Sequence, residues 1–198
     1  MSVFPHVTAE YKKEYMFKGK DGFALTLNPE KFHHFCEGEN GDISWKWIHL
    51  PMKAEGKQLN KLLLANNSEK SVNIDVLVRY EIFSDHNIPL VYFSPTREAI
   101  VLYDGSEYRI FGGISSHGNG DRFSTIPVNV EQWKKSSAFH FQPLSKQSKG
   151  WSLEFQLHLK QGAASYLYEW EFKGGELQEI EEMHTQYQRL LGNGELIY

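Results

Sequence analysis

A single cysteine, Cys36, among 198 residues has no partner within the chain, so no internal disulfide staples this protein. That usage fits a reducing compartment. No apolar run approaches the roughly 20 residues that span a bilayer. Met1 to Glu10 also lacks the charged, apolar and small-residue order of a signal peptide. The expectation is a soluble, cytoplasmic protein. Its 21 basic and 25 acidic residues are scattered, with no block of one sign and a net charge of -4. This excludes the basic stripe of a nucleic-acid binder and the polybasic patch of a membrane binder. Phosphate-cradling G-x-x-x-x-G-K-[ST] and G-x-G-x-x-G loops are missing, as is the G-x-S-x-G elbow. Nucleotide chemistry is therefore set aside, and no cofactor is expected.

What is present is alternation. Val72, Ile74, Val76, Val78, Tyr80 and Ile82 alternate with Asn73, Asp75, Arg79 and Glu81, and only Leu77 breaks the period of two. A strand with one buried face reads this way, because successive side chains leave a strand on opposite sides. The same period runs through Ile43, Trp45 and Trp47, through Trp151, Leu153, Phe155, Leu157 and Leu159, and through Tyr166, Tyr168, Trp170 and Phe172. Asp21-Gly22, Asn40-Gly41, Asp104-Gly105 and Asn119-Gly120 supply tight-turn chemistry between such runs, the clearest hairpin being at Asp104-Gly105. Strands are expected near 11–17, 23–27, 43–50, 59–66, 72–82, 90–94, 98–103, 106–111, 121–126, 137–142, 151–160 and 164–172. So many strands without long intervening helices imply an all-β, two-sheet antiparallel sandwich. No linker or repeat divides it, so residues 1–198 are read as one domain.

One segment follows a different period. Over residues 176–191, Leu177, Ile180, Met183, Tyr187, Leu190 and Leu191 fall at helical spacing, with glutamates early and Arg189 late, as the helix dipole favours. Gly174-Gly175 precede it and Gly192-Asn193-Gly194 stop it. This C-terminal amphipathic helix of about four turns must lay its stripe on the sandwich or on a partner, which includes self-association.

Several clusters are weighed against plainer roles. His33, His34 and Cys36 are zinc-compatible ligand types, but adjacent strand residues point to opposite faces and no second ligand pair follows, so no metal site is expected. The plainer reading packs Phe32, Phe35 and Cys36 inward. Gly118 to Asp121 lacks the spaced carboxylates of a calcium loop and reads as a turn. Glu169 and Glu171 share one strand face, which suits paired acid–base chemistry only across a cleft; a solubilising surface is expected instead. Ser115, Ser116 and His117 form a local cluster with no elbow around it. No catalytic residue is assigned. Of the five tryptophans, Trp45, Trp47, Trp151 and Trp170 lie in core phase, whereas Trp133, flanked by Gln132, Lys134 and Lys135, is expected to be exposed and able to stack on a sugar ring.

The run Lys61 to Val76 and the stretch Tyr92-Phe93-Ser94-Pro95-Thr96-Arg97-Glu98-Ala99-Ile100-Val101 carry a family cadence, continued by strands 151–159 and 165–172 and the final helix. It resembles the N-terminal β-sandwich, or supersandwich, of bacterial glucoamylase-like and glucodextranase-like glycoside hydrolases. In that family the catalytic acids lie in a following (α/α) barrel, for which this chain has no counterpart. The resemblance therefore implies a non-catalytic, carbohydrate-associated module that binds a glycan or docks onto a separate catalytic chain. Trp133, Tyr92 and Phe93 are the expected carbohydrate contacts. Related sandwiches act as sugar mutarotases through a His acid and a Glu base, which here would draw on His140 or His158 with Glu154. A structural assembly subunit is the third reading.

Overall fold

Two antiparallel sheets pack face to face in the computed structural model, which describes residues 10–20, 22–29, 34–53, 55–83, 89–135 and 141–192. In chain order the elements are β1 (Tyr11–Gly19), β2 (Ala24–Leu27), β3 (Phe35–Asn40), β4 (Ile43–Leu50), β5 (Lys57–Asn66), β6 (Val72–Ile82), β7 (Leu90–Ser94) and β8 (Ala99–Tyr103). They continue with β9 (Tyr108–Ser115), β10 (Gly118–Asn119), β11 (Arg122–Ser124), α1 (Val130–Lys135), β12 (Leu144–Ser145), β13 (Gly150–Leu159), β14 (Ala164–Gly174) and α2 (Leu177–Gly192). The smaller sheet runs β11-β13-β6-β1-β2, and the larger runs β12-β7-β8-β9-β14-β5-β4-β3 with β10 paired to β9.

The alternating runs fill the space between the sheets. Val76, Val78, Leu153, Phe155 and Leu157 of the smaller sheet meet Leu62, Leu64, Ile100, Leu102 and Phe111 of the larger. Each such side chain, fully buried, contributes about 1.5–3 kcal/mol. The Asp104-Gly105 hairpin forms as its chemistry requires. Gly105 takes a φ of 95°, Asp104 Oδ1 accepts from the amides of Ser106 and Glu107 at 3.0 Å, and Tyr103 pairs with Tyr108.

The helical stripe finds its partner within the chain. Ile180, Met183, Tyr187 and Leu191 of α2 cover Val101, Ile110, Ile114, Trp170 and Phe172 on the outer face of the larger sheet. His184 locks this contact. Trp170 Nε1 donates to His184 Nδ1 at 3.0 Å, so the ring proton sits on Nε2, which donates to the Arg97 carbonyl at 2.7 Å. Helix and sheet approach closely at Gly112, where an added Cβ would stand 2.5 Å from His184 Cε1 and 2.9 Å from Trp170 Nε1. Gly112→Ala is accordingly expected to lower stability by about 1–3 kcal/mol through overpacking. A thermal unfolding midpoint equal to that of the parent protein would refute this.

Two expectations are corrected. The stretch around Trp133 is a short helix: Asn129 caps α1, its Oδ1 accepting from the Gln132 amide at 2.9 Å, and the helix lies across the outer face of the smaller sheet. Trp133 is 1% exposed, packed on Met16 and Leu77 with Val128 and Val130 against the same cluster, because its indole is the large apolar side chain with which this six-residue helix docks. Residues 35–40 form an edge strand, β3, on which Phe35 is 52% exposed rather than packed inward. The strand expected over 137–142 falls mostly outside the described residues, and 141–142 are not in a strand. Among the described residues no helix is long and apolar enough to cross a membrane.

Candidate functional site

Two places in the sandwich gather chemistry. The first is internal. Because Tyr168, Trp170 and Phe172 of β14 face α2, the alternate residues Leu167, Glu169 and Glu171 must point between the sheets. Glu169 and Glu171 are 1% and 4% exposed, so the solubilising surface expected of them is overturned. Glu169 accepts hydrogen bonds from Lys13 Nζ at 3.0 Å, Tyr15 Oη at 2.7 Å, Asn60 Nδ2 at 2.8 Å and the Tyr80 hydroxyl. His49 extends the chain, its Nδ1 lying 2.9 Å from Asn60 Oδ1. Since Asn60 uses its amide nitrogen on Glu169, His49 Nδ1 is the donor in that contact.

The two carboxyls are pushed apart. Burial pulls the Glu169 pKa upward, but the Lys13 charge and the bonds from Tyr80, Tyr15 and Asn60 outweigh it and hold the group below the ordinary carboxylate range. Burial also dominates at Glu171, and here Lys13, Tyr11 and Arg109 do not offset it, so that carboxyl is raised. The nearest Arg109 nitrogen, Nη1, is 3.6 Å from Glu171 Oε1. Tyr15 and Tyr80 are raised well above the ordinary tyrosine value by burial and by the Glu169 charge, which keeps both as donors. Opposite shifts in neighbouring carboxyls are a signature of functional sites as well as of buried ion networks.

The second place is on the surface. Phe93 of β7 stacks on Phe123 of β11 at 4.6 Å, and Phe141 meets Phe93 edge-on at 5.8 Å. With Pro95, Glu98, Gly120, Asp121 and Arg122 they line a cleft of about 350 Å³. Phe141 is 56% exposed, so an aromatic wall is open to solvent. The polar rim is held in place. Arg122 Nε pairs with Glu154 at 2.7 Å, Asp121 Oδ2 accepts from the Gln156 amide at 2.6 Å, and Asn119 bonds to Glu98. Glu98 holds a φ of 52°, a left-handed conformation uncommon for a residue with a Cβ. A larger, shallower cleft of about 690 Å³ lies among turn residues including Asn40, Asp42, Asn67 and Glu69, with Phe23 as its one aromatic side chain.

The residues singled out from sequence are dispersed. Phe93 lies in the aromatic cleft, Tyr92 faces α2 on the opposite side of the same strand, and Trp133 is buried beneath α1. Trp133 Nε1 donates to Glu154 Oε1 at 2.8 Å, and Lys18 Nζ sits 4.4 Å above its ring. Burial raises the Glu154 carboxyl despite the Trp133 bond and the Arg122 charge. His158 bonds instead to Asn73 Oδ1 at 2.7 Å, so Glu154 and His158 form no pair, while His140 lies outside the described residues. His34 stacks on His49 at 5.7 Å, Cys36 packs against the inter-sheet core, and His33 and Phe32 lie outside the described residues. Ser116 Oγ contacts His117 Nδ1 at 3.1 Å in an exposed turn. The internal network was not read from sequence, although a signal existed. The α2 stripe requires an apolar sheet face, and the aromatic face of β14 supplies it, which leaves its acids inside.

No family model and no curated protein matches the chain. Among solved structures it is similar in fold to a polysaccharide lyase, with a TM-score of 0.55 and 13% identity over 88% of this chain. The match covers 27% of that lyase, so this chain spans about a quarter of its length.

Proposed function

We propose that this chain is a carbohydrate-associated β-sandwich module that binds a neutral glycan in the Phe93–Phe123–Phe141 cleft and has no catalytic role there. The carrying observation is the solvent-open Phe141 ring set against the Phe93–Phe123 stack and bordered by fixed polar groups. Aromatic faces accept the apolar faces of sugar rings while rim carboxylates and a guanidinium take hydroxyls. The fold likeness to a polysaccharide lyase supports the reading, as does the resemblance to the sandwiches that accompany glucoamylase-like catalytic barrels.

Charge narrows the ligand. Glu98 and Asp121 border the cleft against Arg122 alone, and that guanidinium is already engaged by Glu154. A uronic-acid polymer would bring a further carboxylate to this rim, whereas neutral oligosaccharides bring none. Isothermal titration against neutral and uronate oligosaccharides is expected to show binding by the former only. The Phe93→Ala, Phe141→Ala double variant is expected to lose at least about tenfold in affinity, equivalent to about 1.4 kcal/mol. Silence across the panel, or unchanged affinity in the double variant, would end this assignment.

A further inference from the structure

His34 and His49 face each other at the open end of the β3–β4 hairpin. Phe35 pairs with Ile48 in the antiparallel register, and one residue further out the His49 amide donates to the His34 carbonyl at 2.8 Å, which makes the two histidines a directly opposed cross-strand pair. Side chains so placed share one face of the sheet and can act on one ligand together. Their ring centres lie 5.7 Å apart, with 28° between the planes. His34 is exposed and His49 half-buried. The ligand that spacing along the chain did not offer His34 therefore comes from the neighbouring strand.

The His49 ring is already oriented. Its Nδ1 donates to Asn60 Oδ1 at 2.9 Å, because Asn60 uses its amide nitrogen on Glu169 Oε2 at 2.8 Å, and the free lone pair is left on Nε2, on the side of the ring away from Asn60. A histidine that binds a metal through one nitrogen almost always donates from the other to a fixed acceptor, which sets its tautomer and direction. Asn60 is such an acceptor, 2% exposed and anchored on the buried Glu169 carboxylate. Trp47 backs the ring near-parallel at 6.4 Å. The spacing also suits one shared ion: two imidazoles on a tetrahedral zinc, each at about 2.0–2.1 Å, hold their ring centres about 5 Å apart. A small rotation of the exposed His34 side chain closes the observed 5.7 Å to that. Among the described residues no third His, Cys, Asp or Glu joins the pair, and Cys36, next on that face of β3, packs against the inter-sheet core. Water would complete the coordination. An all-imidazole protein set selects late transition metals such as zinc over magnesium or calcium, which take oxygen ligands.

We infer that His34 and His49 form a two-histidine site for a late divalent transition metal such as Zn²⁺, with Asn60 as the positioning residue. The bound ion clamps β3, an edge strand paired on one side only, to β4. The inference uses none of the residues of the aromatic cleft and stands whether or not the chain binds a glycan.

Zn²⁺ titrated into the ¹⁵N-labelled full chain, with Mg²⁺ in a parallel titration, tests the site through the histidine ring nitrogens. One equivalent of Zn²⁺ is expected to move the His34 and His49 ring signals, with His49 responding at Nε2 while Nδ1 keeps its proton. Mg²⁺ should move neither. His34→Ala and His49→Ala are each expected to weaken Zn²⁺ binding at least about tenfold. Zn²⁺ is also expected to raise the thermal midpoint of the parent protein and to leave that of His34→Ala unchanged, since a ligand stabilises only the state that binds it. His34 is exposed, so its variant keeps the test open if His49→Ala folds poorly. Parent-like Zn²⁺ affinity in His34→Ala, a response confined to other histidines, or no response at all would overturn the site. Zn²⁺ bound at His49 Nδ1 in place of Nε2 would overturn the role given to Asn60.

Discussion

Glu169→Ala is expected to lower the unfolding free energy by about 3–5 kcal/mol, the usual cost of breaking a buried ion pair from one side. The magnitude follows from what stays behind. Lys13 Nζ, the Tyr15 and Tyr80 hydroxyls and the Asn60 amide all converge on this one carboxylate, and removing it leaves a buried ammonium and three buried donors unanswered. The matching test is the Lys13→Met, Glu169→Leu double variant, which removes charge from both sides. It should lose clearly less than the sum of the two single variants, because each single change leaves its partner uncompensated. Urea unfolding measures both. A loss below about 1 kcal/mol in Glu169→Ala would match a solvent-exposed pair and would show that Lys13 reaches water in place of its partner.

Acid is expected to weaken the α2 contact through His184. Burial, with a smaller contribution from the Arg97 charge and against the hydrogen bond to the Arg97 carbonyl, holds this imidazole down at about 4, against an ordinary value of 6.5. The unfolded chain therefore takes up a proton near pH 6.5 that the folded chain refuses until near pH 4. Protonation in that window favours unfolding, so stability falls as pH falls, by about 3 kcal/mol in all. The geometry gives the reason: a proton on Nδ1 would face the Trp170 indole N–H that now donates to it. Glu169, held low, acts in the same direction, since its contribution is present above the unfolded carboxylate value and lost in acid. Glu171 and Glu154, held high, act in the opposite direction, their contribution being lost as pH rises through their range. Comparing the parent protein with His184→Gln between pH 7 and pH 4 isolates the histidine. Identical acid slopes in the two proteins would exclude it as the source.

Much of the architecture was legible because the relevant physics is local. The alternation in Val72–Ile82 became β6 at the residues expected, the Asp104-Gly105 turn closed its hairpin, and the periodic stretch 176–191 became α2 within a residue at each end. Trp45, Trp47, Trp151 and Trp170 are buried as their phase implied. The candidate sites were legible only in part. Phe93 was singled out, but the Phe123 and Phe141 rings that make a cleft with it come from segments whose approach no spacing reveals. Trp133 was misjudged for a related reason. Its polar neighbours in sequence describe the exposed side of α1, whereas its fate depended on Met16 and Leu77, far away in the chain.

β14 shows where the division falls. By itself the sequence determined that Tyr168, Trp170 and Phe172 share one face and Glu169 and Glu171 the other, because a strand alternates sides whatever surrounds it. It could not determine which face lies inside. Only the tertiary structure decided that, by laying α2 over the aromatic face and closing β1, β5 and β6 around the acids. Burial is set by what covers a face, and the covering elements here come from other parts of the chain.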